Sequence, residues 1–526
     1  MIIQKLLAPS NNLKSLYIKE LDELKRWKDA IDECNANITF PISLNKGDII
    51  SFETYINAFP IEKWYSYTKA KNVQIVIRTS EKVNIQVYNS TGVYERDSNN
   101  RFSGKRKIDT DIKCIEYDEY KEYTINLKEK NLSGVIYPII EAMTDCVLLG
   151  GEYTSGTPEG ASKCRICYIV SYNRDANTTR SNINAIINNP LYDGEHIVVC
   201  DMTGELSSDV FIDNSHECSK IIQIPTSKNP GDSYNAAISY INSEAGEEYT
   251  HGIVVDSTVL VDEIILDRLV SFISLLDDVR SDMIIQGDLI KDNYLLDSSG
   301  YIIKDNKPDV RYNNFDLREP SDFIISSTCE EIDFFKFGVL CLPLKCFKAF
   351  NQDLRTNVEL YCYLHNDNLK VTNLNGFFGR LCNKESRRII WDYYYKYRDY
   401  YIAIVDSEFE LDKTEYRLFV EKEVKTQRKK GNIEAAFAII EAANDFLNGP
   451  EGLDDEYCLE EINERLIYLS GRFNDSVTGR KNVIRDRIEL RKNYDKLCLK
   501  IDHSYDMIME KWTEHKRKVD NEREQQ

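Results

Sequence analysis

The feature that most constrains this chain is a change of periodicity near residue 163. Before it, apolar residues alternate at period two in short runs: Asp48-Ile49-Ile50-Ser51-Phe52, Val73-Gln74-Ile75-Val76-Ile77 and Val83-Asn84-Ile85-Gln86-Val87. Successive strand side chains point to opposite faces, so each run suits a strand with one buried face. Turn clusters such as Ser98-Asn99-Asn100 and Leu132-Ser133-Gly134 separate them. This grammar predicts an antiparallel β-sandwich or jelly roll over residues 1–150. The small and turn residues from Gly150-Gly151 to Ser162 read as a linker.

Beyond residue 163, strand-like runs alternate with helical patterns. Ile166–Val170 is followed by a helical pattern over Ala176–Asn188, then His196–Cys200, a helix over Ser233–Ser243, and Gly252–Asp256. Strands alternating with helices predict βαβ units and a mainly parallel sheet. After about residue 406 the chain turns charged and helical, with Phe437, Ile440, Ala443 and Leu447 at 3–4 spacing and a stop at Gly449-Pro450. With 526 residues and ~150 residues per domain, three domains are expected: 1–150, 151–405 and 406–526.

Composition excludes some functions. Lys plus Arg total 67 against 87 Asp plus Glu, a formal charge of −20, and phosphate neutralisation along a nucleic acid needs clustered cations. No nucleic-acid partner is expected. No apolar run approaches the ~20 residues that span a bilayer, and Met1-Ile2-Ile3-Gln4-Lys5 lacks a signal-peptide pattern, so a soluble cytoplasmic protein is expected. The 14 cysteines are scattered, often within apolar runs such as Val339-Leu340-Cys341-Leu342, where Cys acts as a small hydrophobe. Cys164 and Cys167 are three apart at the opening of a strand-like run, a spacing that faces them apart and denies them a shared metal.

Two strand ends carry an acid: Ile197-Val198-Val199-Cys200-Asp201 and Gly252-Ile253-Val254-Val255-Asp256-Ser257-Thr258. In an open α/β sheet ligands sit outside the carboxyl ends of the strands, where a carboxylate can hold a cation that bridges a diphosphate or bond a ribose hydroxyl. A turn or helix-capping aspartate is the alternative. The order of several motifs adds to this. The stretch from Thr54-Tyr55-Ile56-Asn57-Ala58-Phe59-Pro60 to Ile61-Glu62-Lys63-Trp64-Tyr65-Ser66-Tyr67-Thr68, then Gly150-Gly151-Glu152-Tyr153, then Tyr168-Ile169-Val170-Ser171-Tyr172-Asn173-Arg174, then Tyr394-Tyr395-Lys396-Tyr397-Arg398 and Asp445-Phe446-Leu447-Asn448-Gly449-Pro450 follow one another along the chain. In that order they resemble the bacterial galactofuranosyltransferase-like glycosyltransferases, a branch of glycosyltransferase family 2.

The resemblance implies an N-terminal β-sandwich, a central GT-A nucleotide-sugar domain and a C-terminal helical domain. It implies inverting transfer of a sugar from a UDP donor to a lipid-linked or surface glycan acceptor, with Mg²⁺ or Mn²⁺. By this resemblance Ser171, Asn173, Arg174, Asp201, Gly231 and Asp256 are candidates to bind the nucleotide-sugar, and Asp256 is a metal candidate. The position of the family's base falls at Asn357, and Glu359 is a displaced alternative. Several positions depart from the family. The acidic metal triplet reads Asp256-Ser257-Thr258, and Ser and Thr hydroxyls are weak, neutral ligands for a hard cation. The Asn357 amide has no useful proton affinity. Leu381 stands where a metal-binding His follows the Asn-Gly turn. The donor loop is reduced to Lys228-Asn229-Pro230-Gly231-Asp232-Ser233, and the acceptor segment reads Phe335-Lys336-Phe337-Gly338. Asp288, expected on a strand beside Asp256, is a substitute metal ligand or a solvated turn carboxylate.

Tyr393, Tyr397, Tyr400 and Tyr401 share a helical face suited to packing between domains, or to a sugar or membrane interface. The tail Lys511–Lys518 reads as a solvated helix end or a weak peripheral contact with anionic lipid. Two functions follow: a glycosyltransferase with an unusual metal arrangement or none, and a catalytically impaired member that binds glycan, a second copy or an active paralogue as a scaffold.

Overall fold

The structure is a computed structural model. It describes residues 1–8, 16, 19–20, 40–95, 100–129, 131–156, 164–173, 175–203, 220–226, 230–243, 248–262, 266, 268–304, 307–328, 332–344, 358–364, 370–382, 389–405, 412–450, 462–469 and 481–525. The molecule is a mixed α/β protein that divides into two compact units. Met1–Pro225, Ala237–Lys348 and Leu369–Cys382 form the first; Thr226–Ala236, Ala349–Asn368 and Asn383–Gln526 form the second.

Within the first unit, the period-two runs make two antiparallel sheets. One runs in the spatial order Ile2–Lys5, Cys146–Thr154, Gln74–Thr79, Lys121–Leu127, Thr110–Glu116, with Ile42–Leu44 also on Cys146–Thr154. The other runs Lys19–Glu20, Ile49–Ser51, Val135–Ala142, Val83–Glu95, Asn100–Lys107. Ile75, Ile77, Ile125 and Tyr153 of the first and Ile85, Val87, Val135 and Tyr137 of the second share one apolar core. The Tyr153 hydroxyl crosses between the sheets and donates to the Ile136 carbonyl at 3.2 Å.

Gly150-Gly151 is not part of a linker. Both glycines lie inside Cys146–Thr154, paired with Arg78 and Ile77 of the neighbouring strand. A Cβ on Gly151 would stand 2.7 Å from Ile77 and 2.8 Å from Leu6, so the glycine is there because the layers close over it.

A third sheet of the first unit has, among the described residues, nine strands. Eight follow the order Lys220–Pro225, His196–Asp201, Ile166–Tyr172, His251–Val255, Val339–Pro343, Ile284–Ile290, Val371–Leu381, Val259–Val261, and Leu296–Ser298 is added on Ile284–Ile290. The first four are mutually parallel, as the alternating pattern predicts. Val339–Pro343 runs antiparallel and turns the sheet mixed. Ile166–Tyr172 and His251–Val255 are buried at every residue, which is why they read as near-continuous apolar runs rather than alternating ones; Ile284–Ile290 is equally buried but carries Gln286 and Asp288.

The second unit contains the helices Ile389–Val405, Lys413–Lys430, Ile433–Phe446 and Lys481–Gln525. The tyrosine face of the first is spent on packing: Tyr400 stacks on Phe419 at 5.0 Å, Tyr401 meets Tyr416 at 4.9 Å, and the Tyr397 hydroxyl donates to Glu423 at 2.6 Å. Those contacts fall inside one compact unit. The basic tail belongs to the last helix, where buried Trp512 stacks on Phe446 and donates to its carbonyl. Among the described residues, no helix is long and apolar enough to cross a membrane.

Candidate functional site

Three adjacent parallel strands of the first unit end together. Ser171 lies near the end of Ile166–Tyr172, Asp201 closes His196–Asp201, and Asp256 follows His251–Val255. Tyr172 is level with Asp201, and Val170 with Val255. The strand that follows Ile166–Tyr172 in sequence lies on one side of it, while the fourth, His251–Val255, lies on the other. This is a topological switch point, where the connections diverge and a crevice opens outside the carboxyl ends. The fully buried Ser171 hydroxyl accepts the Ser257 amide at 2.7 Å, tying the two diverging loops together. On the far side, the Asp256 amide donates to the Gly338 carbonyl at 2.7 Å.

The two strand-end acids make the same local turn. Asp201 Oδ1 accepts the Thr203 amide at 2.9 Å and the Thr203 hydroxyl at 2.7 Å. Asp256 Oδ1 accepts the Thr258 amide at 2.9 Å and the Thr258 hydroxyl at 2.6 Å. The shared spelling Asp-x-Thr, in Asp201-Met202-Thr203 and Asp256-Ser257-Thr258, is the sequence signal for this turn. Asp201 is buried and Asp256 half-buried.

Asn173 is exposed just beyond its strand, and Arg174 lies outside the described residues. The following helix, Ala176–Ile187, has its N-terminus closed by Asp175, whose carboxylate accepts the amides of Asn177 and Thr178. Those amides are the groups that a phosphate would otherwise take. Gly231, in the first turn of Pro230–Ser243, and Glu359, half-buried in the first turn of Val358–Leu364, belong to the second unit. Asn357 lies outside the described residues. Leu381 ends Val371–Leu381, level with Val259.

Asp288 does not sit on the strand beside Asp256. Val254 and Gln286 are both level with Leu340, so the antiparallel strand Val339–Pro343 runs between the two acids. Asp288 is also no solvated turn residue, being fully buried. Its Oδ2 accepts the Tyr55 hydroxyl at 2.6 Å, and its Oδ1 accepts the Ser299 hydroxyl at 2.6 Å and the Asn373 amide at 3.1 Å. Burial pushes the Asp288 carboxyl up, while the hydrogen bonds from Ser299, Tyr55 and Asn373 and the charge of Lys63 pull it back. Burial, then the neighbouring Asp288, holds the Tyr55 phenol well above its ordinary range. Tyr55 therefore keeps its proton and donates. Among the described residues, no group of three or more His, Cys, Asp or Glu side chains is placed to hold a metal ion.

Residues 3–155 match the family model described as galactofuranosyltransferase 2 N-terminal. The chain resembles the galactofuranosyltransferase-type glycosyltransferases. No curated protein matches it significantly. Among solved structures it is similar to S. aureus TarS 1-349, at 14% identity over 64% of this chain and 90% of that one, with a TM-score of 0.34. The S. aureus TarS 1-349 complex with UDP-GlcNAc matches at 15% identity over the same shares, with a TM-score of 0.35.

Within the matched residues 3–155, the segment Thr54–Thr68 buries Thr54, Asn57, Lys63 and Thr68. Asn57 accepts the Leu7 amide and donates to the Leu7 carbonyl, at 2.8 and 2.7 Å. Glu62 accepts the Gly134 amide at 2.7 Å. Tyr55 and Lys63 reach Asp288 and Asn373 on the α/β sheet. Motif reading ranked neither residue as functional. The available signal was a lysine on the apolar side of Ile61–Tyr67, beside Ile61 and Trp64.

Proposed function

We propose that this chain is a glycosyltransferase-family protein of bacterial surface-polysaccharide assembly that receives a UDP-sugar at the switch point and is impaired in turnover. In this reading residues 1–150 are a β-sandwich, 151–405 a GT-A domain and 406–526 a helical domain. Ser171 fixes the loop, Asp201 faces the nucleoside, and Asp256 is the remaining acid of the diphosphate side. One observation carries the impairment: in Asp256-Ser257-Thr258 a single carboxylate survives, and its Oδ1 is occupied by Thr258.

Sugar transfer leaves negative charge on the departing diphosphate, which the family meets with Mg²⁺ or Mn²⁺. The donor set here does not suit such an ion: one half-buried carboxylate, two hydroxyls, and an Asp288 whose two oxygens already serve Tyr55, Ser299 and Asn373. With Asn at 357, the acceptor hydroxyl also lacks the family's base. An active enzyme built on Asp256 and Asp288 would require Asp288 to abandon those three donors. A scaffold role at the inner membrane face, beside a glycan, a second copy or an active paralogue, needs no such rearrangement.

Titration calorimetry with UDP and a UDP-galactofuranose hydrolysis assay, each with and without Mn²⁺, test the proposal. The expected result is UDP binding that Asp201→Ala weakens about tenfold, a loss of ~1.4 kcal/mol, with no Mn²⁺-dependent release of UDP from the donor. Mn²⁺-dependent turnover abolished by Asp256→Ala or Asp288→Asn would overturn it.

A further inference from the structure

We propose that the N-terminal sheets and the α/β sheet of the first unit are locked into one cooperative folding unit by a relayed ion pair, Lys63 and Asp288 joined through the Asn373 amide. Lys63 lies on the short helix Ile61–Tyr67 of the N-terminal region and is fully buried. Its Nζ donates to the Asn373 side-chain oxygen at 2.7 Å and to the Asn373 carbonyl at 2.9 Å. The Asn373 side-chain nitrogen donates onward to Asp288 Oδ1 at 3.1 Å and to the Ser326 carbonyl at 2.8 Å. Tyr55, eight residues before Lys63 and on the same N-terminal stretch, closes the circuit by donating to Asp288 Oδ2.

The physical logic is one of mutual need. A fully buried carboxylate or ammonium is costly unless paired and hydrogen-bonded. The α/β sheet supplies Asp288 and Asn373, while the N-terminal region supplies Lys63 and Tyr55. If either part opened alone, Asp288 would lose a charge partner and a hydroxyl donor together. The relay through an amide also fixes geometry, because Asn373 can satisfy both neighbours in one orientation only: oxygen towards Lys63, nitrogen towards Asp288. Arg268 adds a second tie within the same unit, donating to the carbonyls of Ile56 and Asn375.

The test is a double-mutant cycle on the full chain, Lys63→Met, Asp288→Asn and the pair together, read as thermal midpoints. Each single variant should lower the midpoint by about 5 °C or more, and the double variant should melt no lower than the worse single one. Hydrogen exchange of the unsubstituted protein in rising urea gives a measurement that does not depend on any variant folding. Amides of Gln74–Thr79 and Ile284–Ile290 should open in the same step. Additive losses in the cycle overturn the proposal, and so does a lower urea midpoint for the N-terminal strands than for Ile284–Ile290.

Discussion

Tyr55 and Asp288 are 233 residues apart in sequence and share a 2.6 Å hydrogen bond in a fully buried setting. Removing the hydroxyl leaves an oxygen of a buried carboxylate short of a donor, so Tyr55→Phe should cost about 1–3 kcal/mol in urea denaturation. Gly134 carries a different constraint. It has φ +68°, and a Cβ there would meet the Ser90 carbonyl at 2.3 Å, so Gly134→Ala should destabilise by about 2 kcal/mol or more. Gly431→Ala is the control, with φ +82° but nothing within 4 Å; its cost should stay near ~1 kcal/mol, measured the same way. His251 titrates. Burial pushes its imidazole down to about 4, against an opposing pull from Asp282. A depressed imidazole is held neutral in the fold, so its contribution is whole above the unfolded value near 6.5 and lost as the pH falls towards 4. Urea midpoints should reveal about 2 kcal/mol lost by pH 5, and His251→Gln should flatten that dependence.

At the scale of elements, local signals were legible where the chain itself supplies the partner. The sequence Asp412-Lys413-Thr414-Glu415 spells a capping box. The helix Lys413–Lys430 begins there with both reciprocal bonds in place, and it ends at left-handed Gly431. Asp412→Ala should therefore cost about 1 kcal/mol, seen as a lower urea midpoint by far-ultraviolet circular dichroism. The helix Ile433–Phe446 likewise follows its 3–4 apolar spacing, with Phe437, Ile440 and Ala443 buried. The Gly150-Gly151 pair was legible as a turn signal only, because nothing in its neighbourhood says that Ile77 and Leu6 will close over Gly151. The inserted strand Val339–Pro343 had an apolar run to announce it, but its place between His251–Val255 and Ile284–Ile290 is a long-range pairing.

For the whole molecule, the sequence by itself determined the two grammars, antiparallel alternation before residue 163 and parallel strands with helices after it. It also determined the thinness of the strand-end site, since the single carboxylate of Asp256-Ser257-Thr258 is a matter of composition. Both follow from period and chemical type, which are local properties of the chain. Tertiary structure alone decided that Ser171 would clasp the Ser257 amide and that Asp288 would be withdrawn from solvent by Tyr55, Ser299 and Asn373. A carboxylate's role depends on which donors surround it and how much water remains. Those are set by the strand order of the sheet and by the N-terminal region packed on it, through contacts between residues hundreds of positions apart.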